Sequence, residues 1–119
     1  MFKFHEIENT VIAELTDESF IISDVQDAVD LMGNLSFPGC SRIIIQESNL
    51  TADFFRLQTG LAGDILQKFS NYRIKLAIAG NFSKLKSKSL QDFIRESNKG
   101  NSIFFVADID EALVRLTVK

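Results

Sequence analysis

Residues 46–80 read QESNLTADFFRLQTGLAGDILQKFSNYRIKLAIAG. This stretch decides the fold. It opens at the end of a β-branched run and closes on the apolar run Ile74-Lys-Leu-Ala-Ile-Ala79. Between them Leu57, Leu61, Ile65 and Phe69 recur at i+4, with Ala62 and Leu66 widening the stripe. That period belongs to a helix with one buried face. Gly60 and Gly63 lie outside the stripe. Each glycine costs about 1 kcal/mol relative to alanine in a helix interior. Two within one turn suggest a helix start, or a face that something approaches closely. The stretch therefore reads as strand, loop, helix and strand, with the second strand spanning Arg73–Gly80.

Upstream, Arg42–Gln46 carries Ile43-Ile44-Ile45, a continuous β-branched triplet expected in a central strand covered on both faces. Before it, Val25, Ala28, Val29, Met32 and Leu35 make a helical stripe. Ser23 with Gln26 forms a capping box for that helix, and Pro38-Gly39 ends the segment. Phe2–Ile7 and Val11–Leu15 flank the turn signal Glu8-Asn9 and read as a hairpin. Phe20–Ile22 reads as a short extra strand.

Downstream, Ser89 with Asp92 would cap a helix carrying Leu90, Phe93 and Ile94. Asn98–Gly100 would supply a left-handed stop. Ile103–Val106 is a further inner strand. Asp108 with Glu111 caps a last helix whose inner face is Ile109, Ala112, Leu113 and Leu116. The order is β-β-α-β-α-β-α-β-α. Helices between successive apolar strands imply right-handed crossovers and a largely parallel sheet, with the N-terminal hairpin adding an antiparallel edge. The fold class is α/β, with one domain over residues 1–119.

Composition narrows the function classes. With 119 residues the chain can bury a core without staples. It holds 11 phenylalanines, one tyrosine and no tryptophan, so its core rings need few hydrogen-bond partners. A net charge of −3 argues against a nucleic-acid partner. No apolar run reaches the ~20 residues of a membrane span, and the charged start MFKFHEIEN is unlike a signal peptide. The single Cys40 cannot form an internal disulfide, which suits a reducing cytosol. A cytoplasmic protein without a membrane partner is expected.

Three strings, Asp53–Phe69, Asn71–Gly80 and Asp92–Gly100, resemble the uncharacterised bacterial family known as domain of unknown function 4180. The resemblance covers nearly the whole chain. It implies a small cytoplasmic bacterial protein with no assigned activity. The order of elements is also similar to the STAS domain of anti-sigma-factor antagonists. There, a strand and loop lead to an Asp-Ser-Ser-Gly-Leu-Gly string at a helix start, and the serine before the glycine is a phosphorylation switch. Here Gln58-Thr59-Gly60-Leu61-Ala62 corresponds, with Thr59 at the switch position. Leu57 replaces the acidic residue and Gln58 the first serine. The STAS-like resemblance implies a regulatory, non-enzymatic domain that binds a protein partner.

Thr59 is the sharpest candidate, as a phosphosite or as a plain cap of the helix. Asp53, Arg56 and Asn98 are polar residues in the distinctive strings. They could line a polar cleft at the strand ends, the usual place for a ligand or minor active site on an open α/β sheet. Alternatively Asp53 caps a turn, Arg56 pairs with it at i+3, and Asn98 stops a helix. The candidate surface is thus Asp53, Arg56, Thr59, Gly60, Gly63 and Asn98. No catalytic residue, metal ligand or cofactor is assigned. His5 has no companion at ligand spacing, and the glycines match neither nucleotide-binding fingerprint. Lys84, Lys86 and Lys88 read as a solvated basic loop. The N-terminal hairpin edge offers a route to a homodimer.

Overall fold

Alternation sets the hairpin. The computed structural model describes residues 1–35 and 37–117. Strands β1 (Phe2–Ile7) and β2 (Thr10–Leu15) pair antiparallel, with Ile7 opposite Thr10. The two-residue connection places Glu8 at φ 50° and Asn9 at φ 64°. Both central residues with positive φ make the tight turn whose twist matches the strands, achieved here without glycine.

The five strands lie in the order β1-β2-β3-β4-β5, and every pair after the hairpin is parallel. β3 spans Arg42–Gln46, β4 Lys75–Ala79 and β5 Ile103–Val106. Helices α1 (Val25–Gly33), α2 (Leu61–Asn71), α3 (Lys88–Lys99) and α4 (Ile109–Thr117) complete the α/β fold expected from the sequence. The isoleucine triplet splits as a doubly covered strand should. Ile43 and Ile45 join the core with Ala28, Leu31, Ile65 and Phe69. Ile44 joins Ile12, Ala77, Phe104, Ala112 and Leu116 on the other face. Phe93 and Ile94 of α3 pack against the first core. So α1, α2 and α3 cover one face of the sheet, and α4 alone covers the other.

Several local expectations shift by a residue or more. The α1 cap is Asp24, whose carboxylate accepts the Asp27 N–H at 2.9 Å, rather than Ser23. Ser23 N–H instead donates to Asp27 at 2.8 Å. The α3 cap is Ser87, which accepts from Leu90 N–H at 3.2 Å, rather than Ser89. α2 starts at Leu61, so Leu57 stands in a separate 3-10 turn (Leu57–Thr59). Gly60 at φ 75° interrupts the helical run between them, a conformation that strains any residue with a Cβ. Leu57 still packs against the core, which is why its spacing mimicked a helix. At the far end Arg73 takes φ 57°, and Ile74 N–H closes on the Phe69 carbonyl at 2.9 Å. That six-residue closure turns the chain out of α2, and β4 starts at Lys75 rather than Arg73. Phe20–Ile22 contributes one bridge, Ile22 beside Leu50, rather than a strand. The Asp108 and Glu111 cap forms as expected: Glu111 N–H donates to Asp108 at 2.8 Å and Ala107 N–H to Glu111 at 2.7 Å.

Asn98 departs furthest from its expected role. Gly100 ends α3 at φ −80°, so no left-handed stop forms there. The Asn98 side chain reaches β5 instead. Its Oδ1 accepts Phe105 N–H at 2.7 Å and its Nδ2 donates to Phe105 C=O at 3.1 Å. β5 is a sheet edge, and this amide closes its free donor and acceptor as a neighbouring strand would. Arg115 of α4 donates to the Asn98 carbonyl at 2.7 Å and stacks 4.4 Å from the Phe104 ring centroid. Asn98→Ala is expected to lower unfolding free energy by about 1–2 kcal/mol, the cost of two edge groups returned to imperfect partners. Urea denaturation reads the loss, and sedimentation would show whether the opened edge self-associates.

Candidate functional site

The carboxyl ends of β3 and β4 are held together by one glutamate. Glu47 follows β3 directly. Its Oε1 accepts the Asn81 N–H at 3.0 Å and lies 3.3 Å from Lys84 Nζ. Gly80 is bare because this side chain lies across it. A Cβ at position 80 would stand 2.8 Å from Glu47 Cβ, Cγ and Cδ, closer than van der Waals contact permits. Gly80→Ala is therefore expected to cost about 1–3 kcal/mol by overpacking. In a Glu47→Gly background the same change should cost under about 1 kcal/mol, a coupling that a double-mutant cycle by chemical denaturation measures.

After Glu47 the chain turns through Asn49, the one buried polar residue among those described. Its Oδ1 accepts Gln46 N–H at 2.9 Å, and its Nδ2 donates to the Phe20 and Asp17 carbonyls at 2.8 and 3.2 Å. The 3-10 turn Ala52–Phe55 then inserts Phe54, fully buried, into the core. Thr51 precedes that turn but makes no side-chain cap; only its carbonyl accepts Phe54 N–H.

The anchored turns leave five of the candidate residues exposed at the entry to α2: Asp53, Arg56, Thr59, Gly60 and Gly63. Arg56 pairs with Asp53 at 3.3 Å, an exposed i+3 contact of the kind that contributes little stability. Thr59 Oγ1 lies 3.0 Å from the Asp53 carbonyl and 2.8 Å from the Arg56 carbonyl, sharing its one proton between them, and accepts Leu61 N–H at 3.2 Å. The hydroxyl therefore ties the two 3-10 turns to the helix, although Gly60 is the residue at the cap position. At Gly60 and Gly63 a Cβ would meet nothing within 4 Å among the described residues. Neither glycine is bare because of a neighbour in this chain; Gly60 is bare for its φ.

The sixth candidate, Asn98, does not join this group, being committed to β5. A cleft of about 420 Å³ does lie at the strand ends, between the segments that leave β4 and β5. Its walls include Asn81, Phe82, Ser83, Ile94, Phe105 and Ala107. Asp53, Arg56 and Asn98 line none of it; its walls are more apolar and are built from other residues. Sequence reading missed Glu47, Asn49 and Asn81 because their roles depend on contacts far along the chain, to Asn81, Asp17 and Glu47 respectively. The bare Gly80 beside an apolar strand was the one visible signal.

Several other titratable residues make structural contacts. His5 Nε2 lies 2.8 Å from Glu14 Oε1 across the hairpin, half-buried. Cys40 Sγ lies 3.5 Å from the Arg42 carbonyl and 3.6 Å from that of Val11. Lys84 pairs with Glu47, and Lys88 with Asp92. Hydrogen bonding from Arg95 holds the Asp92 carboxyl below its ordinary range. Among the described residues no group of three His, Cys, Asp or Glu is placed to hold a metal ion, and no helix is long and apolar enough to cross a membrane.

The model of one family, described as Domain of unknown function (DUF4180), matches residues 7–116. The chain belongs to that family. The DUF4180 match takes in Glu47, Asn49, the α2 entry and the cleft alike. Comparison with curated proteins finds no match.

Proposed function

We propose that this DUF4180 protein is a non-enzymatic regulatory or protein-interaction module, and that its working surface is the Thr59–Gly60 entry to α2. The observation that carries this reading is the exposed, contiguous group Asp53, Arg56, Thr59, Gly60 and Gly63 on a base anchored by Phe54. Two bare glycines with open space above them let a partner backbone approach closely. The STAS-like sequence likeness points to the same residues and adds a switch. A phosphoryl group on Thr59 would replace the proton shared by the Asp53 and Arg56 carbonyls. It would place up to two negative charges at the start of α2, where the helix dipole favours them.

The test is affinity capture from the native cytosol with the wild-type chain, Thr59→Glu and Gly63→Arg. A partner retained by wild type is expected to fall at least tenfold with Gly63→Arg, which places a long cation on the bare face, and to change with Thr59→Glu. Recovery of no partner, or equal recovery by all three chains, would sink the proposal. Thermal unfolding of each variant shows that folding is intact.

A further inference from the structure

The two connections beside the cleft leave the sheet in opposite directions. β4 and β5 are neighbours and parallel. The chain leaves β4 toward α3, on the face covered by α1 and α2. It leaves β5 toward α4, on the other face. Adjacent strands whose exits diverge leave a crevice at their carboxyl ends, because neither connection can cover the gap. The 420 Å³ cleft occupies that place, within the range of sites for small ligands.

From this geometry we infer a second site of this protein, a binding site for a neutral, flat ring that carries a hydrogen-bond acceptor at its edge. The walls supply the apolar half. Phe82 and Phe105 meet edge to face with centroids 5.3 Å apart, and Ile94 stands beside them. The polar half includes a side-chain donor. Asn81 lines the cleft, and its Oδ1 accepts the Ser83 hydroxyl at 2.7 Å. Its Nδ2 has no protein partner among the described residues. Among the described residues no charged side chain lines the cleft, which favours a neutral ligand. The nearby Glu47 is matched by Lys84. The start of α4 already carries Asp108 and Glu111, which take the Glu111 and Ala107 N–H groups. The rim is also built in advance, since Glu47 fixes the Asn81 backbone over Gly80. The site shares no candidate residue with the Thr59 surface and stands without it.

Benzamide and benzoate have the same shape and differ in charge, so the pair tests both halves of the inference. Amide resonances of the 15N-labelled full chain are followed during titration. Benzamide is expected to give saturable shifts at Asn81, Ser83 and Ala107, and benzoate to bind at least tenfold more weakly. Asn81→Leu should weaken benzamide about tenfold. Ile94→Trp, which fills the cleft, should abolish its shifts, with amide resonances of the other strands showing that the fold is kept. No saturable shift at these amides, benzoate binding equal to benzamide, or shifts confined to Tyr72 and Ile74, which line another cleft with Val29 and Met32 between α1 and the end of α2, would overturn the assignment. The comparison of the two probes on the wild-type chain decides it even where a variant fails to fold.

Discussion

Phe54→Ala is expected to lower the unfolding free energy by about 3–5 kcal/mol, the cost of deleting a phenyl ring from a packed core. Phe54 is 1% exposed and is one of the two largest fully buried side chains. It sits in a short 3-10 turn that has no side-chain cap of its own, so the turn's position depends on the ring. Phe55 contacts it edge to face at 5.1 Å and passes the packing on to Phe82. Against a total of about 5–15 kcal/mol for a domain of this size, the loss is a large fraction of stability. It should depress the thermal midpoint by roughly 10–20 °C in calorimetry. A second consequence is local. Asp53 lies in this turn and Arg56 follows it directly, and their carbonyls share the Thr59 proton. Hydrogen exchange at Thr59 and Leu61 should accelerate more than at β3, because the ring is the turn's main anchor. Phe37→Ala provides the contrast. Phe37 is 41% exposed, and its loss should cost under about 1 kcal/mol.

The order of elements was legible because periodicity reports burial, and burial is what the sheet and helices share. Ile43-Ile44-Ile45 has no alternation, and that absence is itself the mark of a strand covered on both faces. Caps were less legible. Ser23 and Ser89 satisfy the sequence pattern, yet Asp24 and Ser87 perform the role, because a shift of one or two residues leaves each stripe in place while changing which oxygen meets the first N–H groups. Leu57 shows the same limit from the other side. Its side chain is at the right spacing, but Gly60 at positive φ breaks the backbone between it and α2. The α2 entry could be read as a surface, since Gly60, Gly63 and Thr59 have no place in a packing stripe. Asn98 could not be placed. Its partner is a strand edge, and the order in which strands lie side by side is a property of the folded sheet. The cleft was hidden for that reason too: it follows from α3 and α4 leaving neighbouring strands toward opposite faces.

Asn49→Leu is expected to cost about 3–5 kcal/mol, although leucine has asparagine's branched shape and heavy-atom count and is more apolar. The arithmetic lies in what is left behind. Asn49 is 1% exposed and serves three main-chain groups: Gln46 N–H, Phe20 C=O and Asp17 C=O. Leucine satisfies none of them; the Asp17 carbonyl keeps Phe20 N–H at 3.2 Å, while Gln46 N–H and Phe20 C=O are left without a partner, each at about 1–3 kcal/mol. The leucine's own transfer from water returns part of this, about 1.5–3 kcal/mol, while its larger volume at a fully buried position adds an overpacking cost of about 1–3 kcal/mol. Asn49→Asp separates the two halves of the side chain. A carboxylate keeps an acceptor for Gln46 N–H, but it cannot donate to the two carbonyls, and it brings a charge into a buried place. Its cost should equal or exceed that of leucine in chemical denaturation at neutral pH. A loss under about 1 kcal/mol for both would mean that water replaces the amide. The affected region is also specific. Ile22 N–H donates to the Asn49 carbonyl at 2.7 Å, and Thr51 N–H to the Ile22 carbonyl at 3.1 Å. Residues 17–22 and 47–51 are thus knitted through this one residue. Loosening it should raise hydrogen exchange first at Ile22 and Thr51, and should free the chain that leads from β3 toward Phe54 and Thr59, while β4 and β5 keep their protection.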